Sequence, residues 1–345
     1  MASASASLTI TTTLRSSSVR RTAFYCGHHR TRSIVLNRLG FGGVSLIGAN
    51  TKRFDSLKAT AFSMAGTAAA SEKKKRVEVF DTEEDLAASL AKYTADLSDK
   101  FGKERSSFTV VLSGGSLIKS LRKLVEPPYS DSIEWGKWHI FWVDERVVPK
   151  DHVDSNYKLA YDGFLSKGMF VPRLYRCNAG YLLNFLPIFE QVPIPPGNVY
   201  AINDALSPEG AAEDYETCLK HLVANNILAT SSATGFPKFD LMLLGMGPDG
   251  HVASLFPGHD LCKENKKWVT FIKDSPKPPP ERITFTFPVI NSAAYNALVV
   301  CGAGKAGPVQ AALGNSQNAN VLPVQMVSAE EELTWFLDKE AASKL

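Results

Sequence analysis

The chain has 345 residues, 44% of them hydrophobic and 21% charged, with 38 Lys+Arg against 35 Asp+Glu. This is ordinary globular composition, enough for one large domain or two small ones, and no uninterrupted apolar run is long enough to span a bilayer. The five cysteines, Cys26, Cys177, Cys218, Cys262 and Cys301, form no Cys-x-x-Cys pair and have no His at zinc-finger spacing, so they read as reduced thiols in a non-secreted protein.

The first stretch, "MASASASLTITTTLRSSSVRRTAFYCGHHRTRS", is rich in Ser, Thr and Arg. Up to Ser71 there are nine basic residues and one acid, Asp55. An acid-poor, Arg/Ser-rich leader is the composition of an organelle transit peptide, and the Met-Ala-Ser start with early hydroxyls favours a plastid. The expectation is a transit peptide over 1–70; a basic tail that binds something anionic is the alternative. Beyond residue 71 the chain keeps 29 basic and 34 acidic residues, a net of −5. The positive overall charge thus belongs to the leader, and a mildly acidic body argues against nucleic acid as a partner.

The folded part, 72–345, opens with a short strand at Val77–Phe80. "DTEEDLAASLAKYTADLSDKF" follows, with a capping Asp or Thr, acids in the first turn and apolar spacing of three and four, which predicts a helix. "SFTVVLSGGSLIKSLRKL" predicts a strand, a Gly-Gly turn and a helix, and "WHIFWVDERVV" a strand ending in charges. "DSNYKLAYDGFLSK" predicts a helix capped by Asp154 or Ser155. The apolar, aromatic segment 168–191 has neither helical nor alternating period, and its only acid is Glu190. It is too apolar for a solvated loop. One reading is an extra strand or hairpin on the core; the favoured one is an insertion, such as translated unspliced message, that interrupts a normal connection. "NVYAIND" predicts a strand and "SPEGAAEDYETCLKHLVANN" a helix. "FDLMLLGMG" predicts a central strand buried on both faces. "RITFTFPVIN" predicts another strand, and "NALVVCGAGKAGPVQAAL" a strand running into a helix.

This alternation implies an α/β fold with a mostly parallel sheet flanked by helices. Ligands of such sheets bind beyond the carboxyl ends of the strands. Polar or glycine-rich loops follow Leu112, Val143, Leu244 and Val300, so four strand ends converge on one site if the sheet is single.

Ser113, Gly114, Gly115 and Ser116 form a turn at a helix start, a place where backbone N–H groups can hold an anion. It lacks the Gly-Lys-Ser/Thr ending of a Walker loop, and a turn made only for close packing is the other reading. Asp144, Glu145 and Arg146 leave a strand end together; a carboxylate there can fix the arginine's fork for an anion, or form a structural ion pair. Gly245, Gly247 and Gly250 let backbone approach a ligand, and Asp249 and His251 stand on that loop. Histidine is suited to take a proton near neutral pH, and a neighbouring carboxylate orients its ring. No Gly-x-Ser-x-Gly elbow is present, so the attacking group should be water. Arg282, after a proline run, and Lys305, in a glycine turn, are candidate phosphate clamps or solvated surface charges.

Taken together, "LSGGS", "WVDERVV" with the later "DSN", "FDLMLLGMGPDGHVASLFPGH", "ERITFTFPVIN" and "LVVCGAGKA" resemble the 6-phosphogluconolactonase family. The resemblance spans about residues 76–340, except 168–191. It implies a sugar-phosphate isomerase/deaminase-like fold, a modified Rossmann arrangement shared with glucosamine-6-phosphate deaminase. It further implies hydrolysis of 6-phospho-D-glucono-1,5-lactone in the pentose phosphate pathway without metal or organic cofactor. The partner implied is a small sugar-phosphate lactone, with no nucleic acid and no membrane. By position, His251 resembles the family's general base with Asp249 beside it, and Arg146 the motif arginine that helps order the site or contact substrate. Arg282 and Lys305 resemble the phosphate-binding residues, aided by Gly114, Gly115 and Ser116. Many relatives follow the Gly-Gly-Ser turn with Thr-Pro, where this chain has Leu117-Ile118. Two alternatives stand beside this reading: an amino-sugar-6-phosphate deaminase/isomerase, and a sugar-phosphate-binding isoform with impaired turnover. "ASLFPG" after the Gly-His pair favours the lactonase.

Overall fold

A computed structural model of the chain describes residues 74–167, 174–177, 180–183, 192–314 and 321–345. The expected transit peptide, 1–70, lies outside these, as does most of the expected insertion, 168–191.

The central layer is a six-stranded, wholly parallel sheet. Its strands in chain order begin with β1 (Lys74–Phe80), β2 (Phe108–Leu112) and β3 (Trp138–Trp142). β4 (Asp144–Arg146) leaves this sheet, and two hairpins follow: β5 (Leu174–Cys177) with β6 (Gly180–Leu183), and β7 (Ala229–Thr230) with β8 (Pro237–Lys238). The sheet resumes with β9 (Leu241–Gly245), and after β10 (Val269–Ile272) and β11 (Arg282–Phe285) it ends with β12 (Tyr295–Val300) and β13 (Glu332–Asp338). The spatial order is β1-β13-β12-β9-β2-β3.

β9 sits in the middle, and its residues alternate between two apolar clusters. Leu241 and Leu243 join Val110, Leu112 and Phe336 on one face, while Met242 and Leu244 join Val111, Leu298 and Val300 on the other. Burial on both faces is why this segment reads as an unbroken apolar run. Each fully buried aliphatic side chain contributes roughly 1.5–3 kcal/mol by leaving water.

Helices cover both faces. α1 (Glu83–Arg105) starts at Thr82, whose hydroxyl accepts from Asp85 N at 3.1 Å, with three acids in the first turn to meet the positive end of the dipole. Leu86, Leu90, Leu97 and Phe101 form its buried stripe. α2 (Leu117–Ser120) continues as a 3-10 turn, and α3 (Tyr129–Ser132) precedes β3. α4 (Asn156–Ala160) starts at Ser155, and α5 (Pro208–Ala224) starts at Ser207 with Pro208 in its first turn. α6 (Phe287–Asn291) and α7 (Ala306–Leu313) complete the set.

Three departures from expectation have local causes. "NVYAIND" is no strand: only Val199 bridges to Ile140, because Pro195 and Pro196 carry no N–H for a ladder and open a 3-10 turn at Pro196–Asn198. "RITFTFPVIN" stops as a strand at Phe285 and turns into α6, whose first turn holds Pro288. It also joins a second, antiparallel sheet, β10-β11-β4, instead of the main one.

Val143 is the handover between the two sheets. Its N–H donates to Leu112 O at 3.0 Å and its carbonyl accepts from Phe285 N at 2.8 Å. β4 therefore swings Asp144–Arg146 across the carboxyl end of the main sheet. Residues 174–177 and 180–183 pair as a hairpin, and the described chain on either side of 168–191 meets: Val192 N donates to Leu165 O at 3.1 Å.

Candidate active site

A cleft of about 260 Å³ opens beyond the carboxyl ends of the main-sheet strands. It is lined by the β2 loop (Ser113, Gly114, Gly115, Ser116), by Asp144 and Arg146 of β4, and by Asn156. The β9 loop from Gly245 to Ala253 with His251, Arg282 of β11 and Lys305 before α7 complete the lining. Seven of the eight candidate residues named from the sequence line this one cleft; the eighth, Asp249, touches His251 from behind it.

The His251–Asp249 pair is close: Nδ1 lies 2.5 Å from Asp249 Oδ1. A carboxylate only accepts, so Nδ1 carries the proton and Nε2 keeps its lone pair. The Gly247 N–H donates to His251 O at 3.0 Å, folding the loop back on itself. Gly247 has to be glycine, because a Cβ there would stand 2.1 Å from the imidazole and 2.6 Å from Asp249 Oδ1. Its missing side chain thus makes room for the pair itself. Phe256 packs on the imidazole, with ring centroids 4.7 Å apart. Burial pushes His251 below the ordinary histidine range, against the pull of Asp249. Asp249 is also pushed down: burial raises it, but His251 and then Lys277 outweigh that.

The charges that β4 brings to the cleft are differently committed. The expectation that a carboxylate fixes the Arg146 fork is not met. Arg146 Nη1 donates to the backbone carbonyl of Asp154 at 2.9 Å, and its Nε is buried without a partner among the described residues. Glu145 instead turns inward and accepts from Arg146 N, Asn156 N and Tyr157 N, each at 2.7 Å, which ties β4 to α4. Burial pushes Glu145 up to about 7 despite those three donors. Asp144 accepts from Ser254 Oγ at 2.8 Å, and Asn156 Nδ2 donates to Asp144 O at 3.0 Å. The Asn156 amide lies beneath Gly114, where a Cβ would be 1.9 Å from its Oδ1. Of "DSN", Ser155 caps the helix and Asn156 supports the Gly-Gly turn.

Arg282 is 2% exposed and largely spoken for. Its Nε donates to Pro279 O at 2.9 Å, its Nη2 to Lys277 O at 2.7 Å and Pro278 O at 3.1 Å, and its Nη1 to Ser254 Oγ at 3.4 Å. Of five N–H groups one remains for a ligand. Lys305 differs: no described residue gives its ammonium a hydrogen-bond or ion-pair partner, and burial pushes it below the usual lysine range. Ser113 Oγ is buried and has no partner among the described residues, and Ser116 makes no capping hydrogen bond. Buried polar groups without partners are uncommon and mark where a ligand is expected.

Sequence reasoning passed over Lys277 and Ser254 as site residues, and took Ser113 and Asp144 only as members of a turn and of a charged cluster. Lys277 Nζ donates to Asp249 Oδ1 at 3.0 Å. Its only signal in the sequence is a lysine before a rigid proline run. Among the described residues no group of three His, Cys, Asp or Glu could hold a metal ion, and no helix is long and apolar enough to cross a membrane.

The arrangement puts one imidazole and the side chains of Arg146, Arg282 and Lys305 on the lining of the same cleft. A family model described as glucosamine-6-phosphate isomerases/6-phosphogluconolactonase matches residues 81–335. The chain is 62% identical over 323 residues to 6-phosphogluconolactonase 3, chloroplastic, of Arabidopsis thaliana, covering 93% of this chain and 89% of that one. It is 67% identical over 269 residues to probable 6-phosphogluconolactonase 4, chloroplastic, of Oryza sativa subsp. indica, covering 77% of this chain and 76% of that one. The solved 6-phosphogluconolactonase from Trypanosoma brucei superposes with a TM-score of 0.62 at 27% identity, over 79% of this chain and 99% of that one.

Proposed function

The chain belongs to the glucosamine-6-phosphate isomerase/6-phosphogluconolactonase family, and on that premise we propose that it hydrolyses 6-phospho-D-glucono-1,5-lactone to 6-phospho-D-gluconate, the lactonase step of the oxidative pentose phosphate pathway, using water activated by His251. It is a plastid enzyme, like its chloroplastic relatives from Arabidopsis and rice. Residues 1–70 are read as the transit peptide, on their acid-poor, Arg/Ser-rich composition. The substrate is a small sugar-phosphate lactone; nucleic acid has no part in the reading, in keeping with the net −5 of the body.

In this mechanism Nε2 of His251 takes a proton from water as the oxygen attacks the lactone carbonyl carbon. The C–O ring bond then breaks, and the imidazolium returns the proton to the departing ring oxygen. Asp249 holds the ring through Nδ1 and stabilises the transient imidazolium. A δ-lactone is an activated ester, so a general base worth about 10²–10⁴-fold in rate is sufficient help. Lys305 is assigned to the phosphate dianion, with Arg146 and the last N–H of Arg282 beside it. Backbone N–H groups of Gly114, Gly115 and Ser116, which donate to no described residue, are available to the substrate. Anchoring the remote phosphate orients the ring for attack.

The observation that carries the assignment is the 2.5 Å Asp249 contact behind His251, whose ring lines the cleft that Lys305, without a partner among the described residues, also lines. The test uses purified 72–345 with freshly made lactone in a pH-stat, and ammonia release from glucosamine-6-phosphate in parallel. Lactone-dependent acid release without ammonia is expected. Ammonia release would establish the deaminase, and tight phosphosugar binding with neither product would establish an impaired binding isoform.

A further inference from the structure

The proline-rich segment at residues 275–281 takes no part in the reaction described above, yet it delivers one side chain to the catalytic pair. Lys277 Nζ lies 3.0 Å from Asp249 Oδ1 and 3.3 Å from His251 Nδ1. Its backbone is held from two sides. Arg282 collects the carbonyls of Lys277, Pro278 and Pro279. Ser275 Oγ donates to Lys277 O at 2.9 Å and accepts from Lys277 N at 3.3 Å. Consecutive prolines fix φ in the chain that follows. A lysine on a floppy loop would sample many positions; this one has a pinned backbone and an occupied ammonium.

From this geometry we propose that Lys277 is a positioning residue for the general base: its ammonium fixes the Asp249 carboxylate against the Nδ1 side of His251 and opposes a second proton on the imidazole. The inference rests on His251 being the base. It also gives Arg282 its main task, since four of its five N–H groups are spent on the Lys277 loop and on Ser254.

The electrostatics follow from who faces the imidazole. Asp249 comes from its own loop, Lys277 from the proline segment and Asp144 from β4, and Arg146, Arg282 and Lys305 line the same cleft. A carboxylate alone at 2.5 Å would favour imidazolium, and an imidazolium cannot take a proton from water. A cation bridging both partners shifts that balance back toward neutral imidazole with ionised carboxylate. Lys277 acts through Asp249 and His251; the unpartnered Lys305, not Lys277, is the ammonium left for the substrate.

The experiment compares wild type, Lys277→Met and Lys277→Arg. The titration of His251 is followed by ¹⁵N-imidazole NMR without substrate, its signal assigned by its loss in His251→Ala, and kcat/KM for lactone is measured against pH on the same preparations. In Lys277→Met both the imidazole titration and the acid limb of kcat/KM should move up by roughly half a unit to one unit, and Lys277→Arg should bring them back toward wild type. An unmoved His251 titration in Lys277→Met overturns the proposal, as does a loss of kcat/KM equal at all pH values. Because the NMR titration needs no turnover, a His251 titration that moves up in Lys277→Met of a protein that releases no acid from lactone would sink the lactonase reading and leave the effect of Lys277 on the Asp249–His251 pair standing.

Discussion

At the amino end of β2 and β9, Asp240 accepts from Thr109 N at 2.7 Å, from Thr109 Oγ1 at 2.9 Å and from Arg105, one acid closed on one base. At the carboxyl end of the same two strands the polar groups stay open. Ser113 Oγ and Arg146 Nε have no described partner, and Arg146, Arg282 and Lys305 line one cleft with only Asp144 among the carboxylates. Both ends hold buried polar groups, so burial by itself does not mark function. The difference lies in closure. The closed network ties the strand starts together and leaves only Arg105 Nε unpartnered; the open one is short of an anion and of acceptors, which a phosphorylated lactone supplies.

That contrast can be broken from either side. Replacing Asp240 with Ala leaves Arg105 without its counter-charge and should cost about 3–5 kcal/mol of stability in a urea titration, with kcat/KM of the folded fraction unchanged. A loss of turnover without a loss of stability would erase the distinction between the two ends. At the open end, Lys305→Met removes the charged contact to phosphate proposed above, worth about 1.5–3 kcal/mol, so KM should rise roughly ten- to hundredfold while the melting temperature holds or rises. A fall in stability would mean that Lys305 has a structural partner after all. Ser113→Ala should lower kcat/KM only a few-fold, matching about 0.5–1.5 kcal/mol for one neutral hydrogen bond, and should not destabilise, because the hydroxyl has no partner to lose.

The acid side of the pH profile sharpens the comparison further. Since burial holds His251 below its ordinary 6.5, the base is neutral at pH 7, and kcat/KM should stay level there and fall only below pH 6.5. The sign for stability is the same. A histidine depressed in the folded state takes up its proton more readily when unfolded, so its contribution to stability is fully present above 6.5 and is lost as pH falls from there through the lower folded value. An acid limb above pH 7 would contradict the assignment.

We further propose that 168–191 is an insertion. The carbonyl of Leu165 already accepts from Val192 N. Joining Lys167 to Val192 would turn that contact into the i to i+3 hydrogen bond of a β-turn. A chain without 168–191 should therefore fold and keep its kcat/KM, the smallest effect expected here; an insoluble product would show the segment to be part of the core.

Much of this was legible in the sequence because it is local. The apolar runs of β2, β3, β9 and β12, the Thr82 and Ser155 caps and the Asp249-Gly-His251 triplet are each read within a few residues. What was missed depends on distance along the chain or on packing. β13 carries Glu332, Thr334 and Asp338 in a fully buried strand, so its pattern does not look apolar. Lys277 meets Asp249 across 28 residues, and nothing near either one announces it. Arg282 was visible as a cation but not as one whose donors are mostly used, since its acceptors are main-chain carbonyls. Whether the Ser113 hydroxyl has a partner is a property of the folded cleft alone.

The central claim is that one imidazole draws the proton from water. The direct test is acid release from 6-phospho-D-glucono-1,5-lactone at pH 7 by wild type and His251→Ala, corrected for spontaneous hydrolysis, with 6-phosphogluconate affinity measured alongside. A fall in kcat of about 10²–10⁴-fold with affinity preserved is predicted; turnover undiminished in His251→Ala would contradict the account.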